Sequence, residues 1–367
     1  MMLLGSADFK YKVSGKDWGN LPEGWHYGEA TSVASDSKDN IYIFNRGPHP
    51  MIVLSQNGDF VRSWGEGMFS NPHGIAIGPD DSVYWVDNGD HTIGKFSPEG
   101  EFLLRIGEQN KPAKPLSGIP FSQPTHIAVD PNNGDLYVSD GYENAQVHKY
   151  SSSGKLLLSW GESGTDEGQF SLPHNIDTDS NGMVYVADRE NQRIQIFDPD
   201  GNFQYQMGLN IARPGAVCIK ENNGQLLVYV GEFFSGFMTY AKAERIGPRI
   251  SILDQEGKKL ANVGYQSFGD DPGQFYSPHA IAVDSRGDIY VAEVSLTEKY
   301  GGIVSPPEQG TQRRSFQKLI KQWSGRSIKG VAGSSHLHNV PVALNHQKLS
   351  NVMGREHNNH LFFMRSN

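Results

Sequence analysis

FSLPHNIDTDSNGMVYVADRENQRIQIF, running from Phe170 to Phe197, is the stretch that decides the fold. An apolar run, a turn rich in Asp, Asn and Gly, and a β-branched and aromatic run read as two antiparallel strands joined by a tight turn. A Pro-His pair opens the first strand and Asp188-Arg189 closes the second. The phrase is rewritten along the chain. ATSVASDSKDNIYIFNRG starts at Ala30, PHGIAIGPDDSVYWVDNG at Pro72, PTHIAVDPNNGDLYVSDG at Pro124 and PHAIAVDSRGDIYVAEVS at Pro278. PGAVCIKENNGQLLVYVGE at Pro214 is the poorest copy. Most units continue with two more strand-like pieces, such as QVHKYSS and KLLLSWGE between Gln146 and Glu162. Six four-stranded units predict an all-β, six-bladed β-propeller.

A propeller must close its ring. DFKYKV at Asp8–Val13 stands before the first full unit, so this N-terminal strand is expected to complete the last blade and leave no free edge. Unit six has two clear strands, an insertion from Leu296 to Gln312, and RSFQKLIKQW from Arg313. The propeller is thus expected over 8–323. The tail over 324–367 lacks repeat and hydrophobic pattern, so it is expected to be disordered. Its histidines, in SSHLHNV, NHQ and REHNNH, have no metal-ligand spacing.

A net charge of −9 argues against a nucleic-acid partner, and no apolar run is long enough to span a bilayer. The single cysteine, Cys218, excludes an internal disulfide framework and any thiolate cluster. The opening MMLLGSADFKYKVSG does not read as a secretory signal, so a cytoplasmic monomer is expected.

The residue after each unit's opening position is Thr31, His73, Thr125, His174, Gly215 and His279. Histidine therefore alternates around the ring, in units two, four and six, at a position facing the central channel. Three imidazoles then converge with three-fold symmetry, the usual way a catalytic zinc is held with one position left open. Packing requires no such alternation. His126 falls one place later, where strand alternation turns it away, and with His26 and His91 it is read as structural. The second strands return to the same face with Asn45-Arg46, Asp87-Asn88, Asp140-Gly141-Tyr142, Asp188-Arg189 and Glu293. The recurring acids are expected to hold backbone amides. Arg46, Tyr142 and Arg189 break the repeat, and departures from a scaffold at its channel mouth point to function. Two arginines suit a carboxylate substrate, and a tyrosine beside a metal suits a general base.

On VADRENQRIQIF, VSDGYEN, IFNRG and the three Pro-His units, the sequence resembles the NHL-repeat family that includes peptidyl-α-hydroxyglycine α-amidating lyase, from about Lys10 to Gln322. The resemblance implies zinc on His73, His174 and His279, with Arg46, Tyr142 and Arg189 as catalytic residues. It implies cleavage of a peptidyl α-hydroxyglycine to an amide and glyoxylate. It also implies a structural calcium on the carbonyls of Val33 and Ile75 and on a carboxylate after the third histidine, where this sequence has Ala280. Glu143 and Tyr185 stand where secreted animal members carry cysteines. The substrate expected is a small molecule or peptide bearing a carboxylate, including ureido- or amido-glycolates. The competing readings are a non-catalytic NHL interaction module, which needs no histidine trio, and a lactonase-type propeller hydrolase, which would use carboxylate ligands.

Overall fold

The computed structural model describes residues 3–15, 18–208, 210–222, 224–234, 247–265, 267–297 and 313–323. The tail expected over 324–367 and all but the first two residues of the 296–312 insertion lie outside them. Among the described residues there are strands and no α-helix, and no helix is long and apolar enough to cross a membrane. Blade one holds β3 (Ala30–Ser35), β4 (Ile41–Asn45), β5 (Met51–Leu54) and β6 (Phe60–Trp64) in that order. Blade two runs β7 (Pro72–Ile77) to β10 (Phe102–Ile106), and blade three β11 (His126–Val129) to β14 (Leu156–Trp160). Blade four runs β15 (Pro173–Thr178) to β18 (Phe203–Met207), and blade five β19 (Pro214–Asn222) to β22 (Lys259–Val263).

Blade six combines β23 (Pro278–Val283), β24 (Ile289–Glu293) and β25 (Phe316–Gln322) with β2 (Phe9–Val13), which pairs in register Lys10 with Gln322. The ring is closed by the N-terminal strand. That strand begins at Phe9, and a short β1 (Leu4–Ser6) turns back on it as a fifth strand. Leu4, at the end of the apolar opening, is buried in the core between blades five and six.

The first strand of each blade packs on the next, β3–β7–β11–β15–β19–β23 and back to β3, so these six line the axis. Alternation along each strand sends apolar side chains to both faces of a blade, and the core is accordingly split into layers between blades. Tyr42, Phe44, Ile75 and Trp85 fill the layer between blades one and two, and Tyr185, Ile194, Val217 and Val230 that between four and five. Rigid blade-to-blade packing of this kind fixes where the axial side chains stand.

Candidate metal centre

Five of the six axial residues, all but Thr125, sit at a backbone irregularity. Between β7 and β8 (Val83–Asp87) the register runs Pro72 with Asp87, then Gly74 with Val86, so His73 is the unpaired residue of a β-bulge. The same bulge frees Thr31, His174, Gly215 and His279. A bulge breaks strict alternation and re-aims one side chain, here toward the axis. The loop entering the first strand is held by the residue at the end of the second strand, Asn45 in blade one and an acidic residue in the other five. Asp87 accepts the amides of Ser70 and Asn71, Asp188 that of Ser171, and Glu293 that of Tyr276. Glu232 does the same for Ala212 in blade five.

His73, His174 and His279 are buried, with ligand atoms all within 4.8 Å of one another. Each imidazole points its Nδ1 at a carbonyl of the following blade. His73 reaches Thr125 O at 2.5 Å, His174 reaches Gly215 O at 2.6 Å and His279 reaches Thr31 O at 2.6 Å. The alternation of the sequence is therefore a division of labour: even blades give imidazoles and odd blades give the carbonyls that orient them. A carbonyl accepts, so the proton sits on Nδ1 and each Nε2 presents its lone pair to the axis, where a cation could take it. Burial, reinforced by the neighbouring histidines and arginines, pushes all three imidazoles well below their usual pKa, which keeps them neutral. Three neutral, oriented nitrogens fit zinc or a similar divalent metal with an open position.

At the channel mouth, one residue per blade donates its backbone N–H to the carbonyl two places before the axial residue. These are Arg46, Asn88, Tyr142, Arg189, Phe233 and Val294. Tyr142 thus shares a register with both arginines, although it lies two residues past Asp140 in sequence; Gly141 absorbs the difference. A Cβ on Gly141 would stand 2.1 Å from Pro173 O, so this extra residue has to be glycine. Tyr142 Oη lies 3.1 Å from His73 Nε2 and 3.2 Å from His174 Nε2. Arg46 Nη1 contacts Glu29 Oε2 at 2.9 Å and Thr297 Oγ1 at 3.1 Å. Arg189 Nε donates to Glu190 Oε1 at 2.9 Å, and its guanidinium lies over the rings of Tyr142 and Phe233, 5.9 and 5.5 Å from their centroids. Burial opposes ionisation of Glu190, but Arg213 and Arg189 outweigh it and hold the carboxyl below its usual range. Sequence reasoning missed Glu29, Glu190 and Phe233. The register of Phe233 with the arginines was the available signal.

His126 lies outside the trio, buried with Nε2 3.4 Å from Ser32 Oγ. It lines an axial cavity of about 240 Å³ together with Val33, Ile75, Asp177, Cys218 and Ala280. Val33 and Ile75, whose carbonyls the resemblance names for calcium, do line it, but Ala280 stands where the carboxylate ligand would be. Asp177 is the one carboxylate among these lining residues, and its oxygens already accept the amides of Thr178 and Ile219. Calcium asks for six to eight oxygens, with carboxylates prominent, so this donor set does not fit.

An NHL-repeat model matches residues 121–150 and 170–197. The chain is 35% identical over 329 residues to the mouse (Mus musculus) peptidyl-glycine alpha-amidating monooxygenase, covering 79% of this chain and 32% of that protein. It is 31% identical over 311 residues to the Drosophila melanogaster peptidyl-alpha-hydroxyglycine alpha-amidating lyase 1, covering 73% of this chain and 56% of that one. The matches thus span about a third to about half of those relatives' length. Among solved structures, a streptogramin B lyase aligns with a TM-score of 0.54 at 14% identity, over 85% of this chain and 98% of its own, a likeness of fold. Taken with the six-bladed ring, these matches make the chain an NHL-repeat β-propeller, similar over most of its length to the peptidyl-α-hydroxyglycine α-amidating lyases.

Proposed function

We propose that the chain is a metal-dependent lyase that cleaves the C–N bond of an N-acyl or peptidyl α-hydroxyglycine, giving an amide and glyoxylate. The observation that carries this reading is the hydroxyl of Tyr142 standing between two inward-facing imidazole nitrogens, with Arg46 and Arg189 in its own register ring. A zinc-type ion bound by His73, His174 and His279 would supply Lewis acidity. Arg46 and Arg189 bind the substrate carboxylate, which places the α-hydroxyl near Tyr142. Tyr142 takes the hydroxyl proton as the C–O bond gains double-bond character. The C–N bond breaks, its electron pair goes to nitrogen, and a proton delivered there completes the amide. Net transfer is one proton from oxygen to nitrogen, so atoms and charge balance. The relatives named as lyases of this chemistry support the reading.

The test is glyoxylate release from model N-acyl-α-hydroxyglycines by protein purified without chelator, with metal measured on the same sample. Metal-dependent release is expected. No release over a panel of acyl groups by zinc-loaded protein would overturn the reading in favour of an interaction module.

A further inference from the structure

Blade five is the poorest copy of the repeat, and none of the six residues assigned above belongs to it. We infer that it nonetheless supplies a positioning residue: Phe233 aims Arg189 and walls the three-histidine centre on the blade-five side, and Gly215 is small so that this ring fits there. The inference rests on the proposed lyase reading for its substrate and on geometry for the rest.

Phe233 occupies the same register position as Arg46, Tyr142 and Arg189. Its ring packs edge-on to His174 at 5.9 Å and tilted to His279 at 6.2 Å, between centroids. The residue is only 1% exposed, so the ring is wall and not surface. The axial position of its own blade is Gly215, and a Cβ there would lie 2.2 Å from Phe233 Cε1. Threonine or histidine, found at the five equivalent positions, would collide with the ring. Blade five therefore exchanges its axial side chain for one coming from the mouth.

The consequence is asymmetry. Arg189 lies between the faces of Tyr142 and Phe233, from the blades on either side of its own, while Glu190 holds Nε from the edge. A guanidinium bracketed by two aromatic rings is weakly hydrated and loses little freedom on meeting a carboxylate. Phe233 continues into an apolar cluster with Phe234, Tyr276 and Val294 over blades five and six. One side of the centre is thus closed by hydrocarbon.

Phe233→Leu and Phe233→Tyr in the full zinc-loaded chain test this. An N-acylglycine, which lacks the hydroxyl and cannot react, reports carboxylate binding by calorimetry. For Phe233→Leu the expectation is full metal, KM and N-acylglycine Kd raised by about tenfold, and kcat changed by less than about threefold. Phe233→Tyr keeps the ring and should stay within about twofold of wild type. The Arg189 Nε–H resonance, assigned with Arg189→Lys, should move in the leucine variant and be restored in the tyrosine one. An active wild type whose leucine variant binds N-acylglycine unchanged, with that resonance unmoved, would overturn the role of Phe233. So would equal losses in both variants together with metal and melting temperature, which would mark a purely structural ring. A wild type that releases no glyoxylate overturns the lyase reading instead, and the resonance still decides the positioning of Arg189.

Discussion

Blades four and five sit side by side and teach opposite lessons about a repeat. Blade four is the cleanest copy: its Pro-His pair, turn and Asp-Arg pair lie within a stretch the NHL model matches, and it gives the centre an imidazole and a guanidinium. Blade five lies outside the matched segments, with glycine at the axial place and phenylalanine at the mouth. Yet the carbonyl of Gly215 orients His174, and Phe233 packs on that same imidazole. What blade five gave up in resemblance it contributes as second support for its neighbour. A six-fold scaffold can surround an asymmetric site only if some blades depart from the pattern, and the departures fall where the ring meets the chemistry.

The comparison breaks most sharply at the axial position. His174→Ala should strip most of the metal, because two imidazoles make a poor closed set, and glyoxylate release should disappear with it. Metal retained by His73→Ala, His174→Ala and His279→Ala alike would refute the axial centre. Tyr142→Phe comes next. It keeps the ring that faces Arg189 but removes the proton acceptor, so turnover should fall by roughly 10² to 10⁴ with metal content unchanged. Normal turnover in that variant would reject Tyr142 as the base and leave the metal centre standing.

Much of this was legible beforehand because the repeat supplies a ruler. Pro-His spacing placed the trio, and the second-strand ends placed both arginines and Tyr142. Other features were hidden for physical reasons. A β-bulge has no residue signature here, so the means by which His73 and His174 are turned toward the channel emerges only from paired registers. The carbonyl partners of the imidazoles are backbone atoms, which sequence does not distinguish. Glu29 lies before blade one, and although it meets Arg46 within that blade, it reaches Thr297 only because the ring closes. Phe233 was overlooked because an aromatic next to an acidic strand end reads as packing.

Gly215→Ala sharpens the account of blade five. The added methyl meets the edge of Phe233, which is itself packed on two imidazoles, so overpacking should cost about 1–3 kcal/mol. The cost should shrink in a Phe233→Val background, where the obstructing ring is gone. A double-mutant cycle measured by denaturant unfolding gives the coupling directly. Additive effects would show that glycine at 215 answers to something other than the ring.

The smallest effect concerns the seam between the two blades. Asp177 on β15 accepts the amide of Ile219 on β19 at 2.7 Å, so a blade-four carboxylate staples the innermost strand of blade five. Burial in the axial channel raises its pKa to about 6, against which the two amides and Lys220 pull only partly. The folded state then holds this proton more tightly than the unfolded chain does. The stability that follows is fully present below the ordinary carboxylate range and is lost as pH rises through about 6. Because the carboxylate borders the cavity, about 1 kcal/mol is expected between pH 4 and pH 6, less than the roughly 3 kcal/mol that the full shift implies. Asp177→Asn should remove that slope, whatever it does to absolute stability by replacing one acceptor with a donor. Unfolding free energies of metal-free wild type and variant at several pH values give the difference curve. A flat difference between pH 4 and pH 6 would mean that the staple titrates as an ordinary carboxylate, and that the seam between blades four and five is held by its backbone and packing alone.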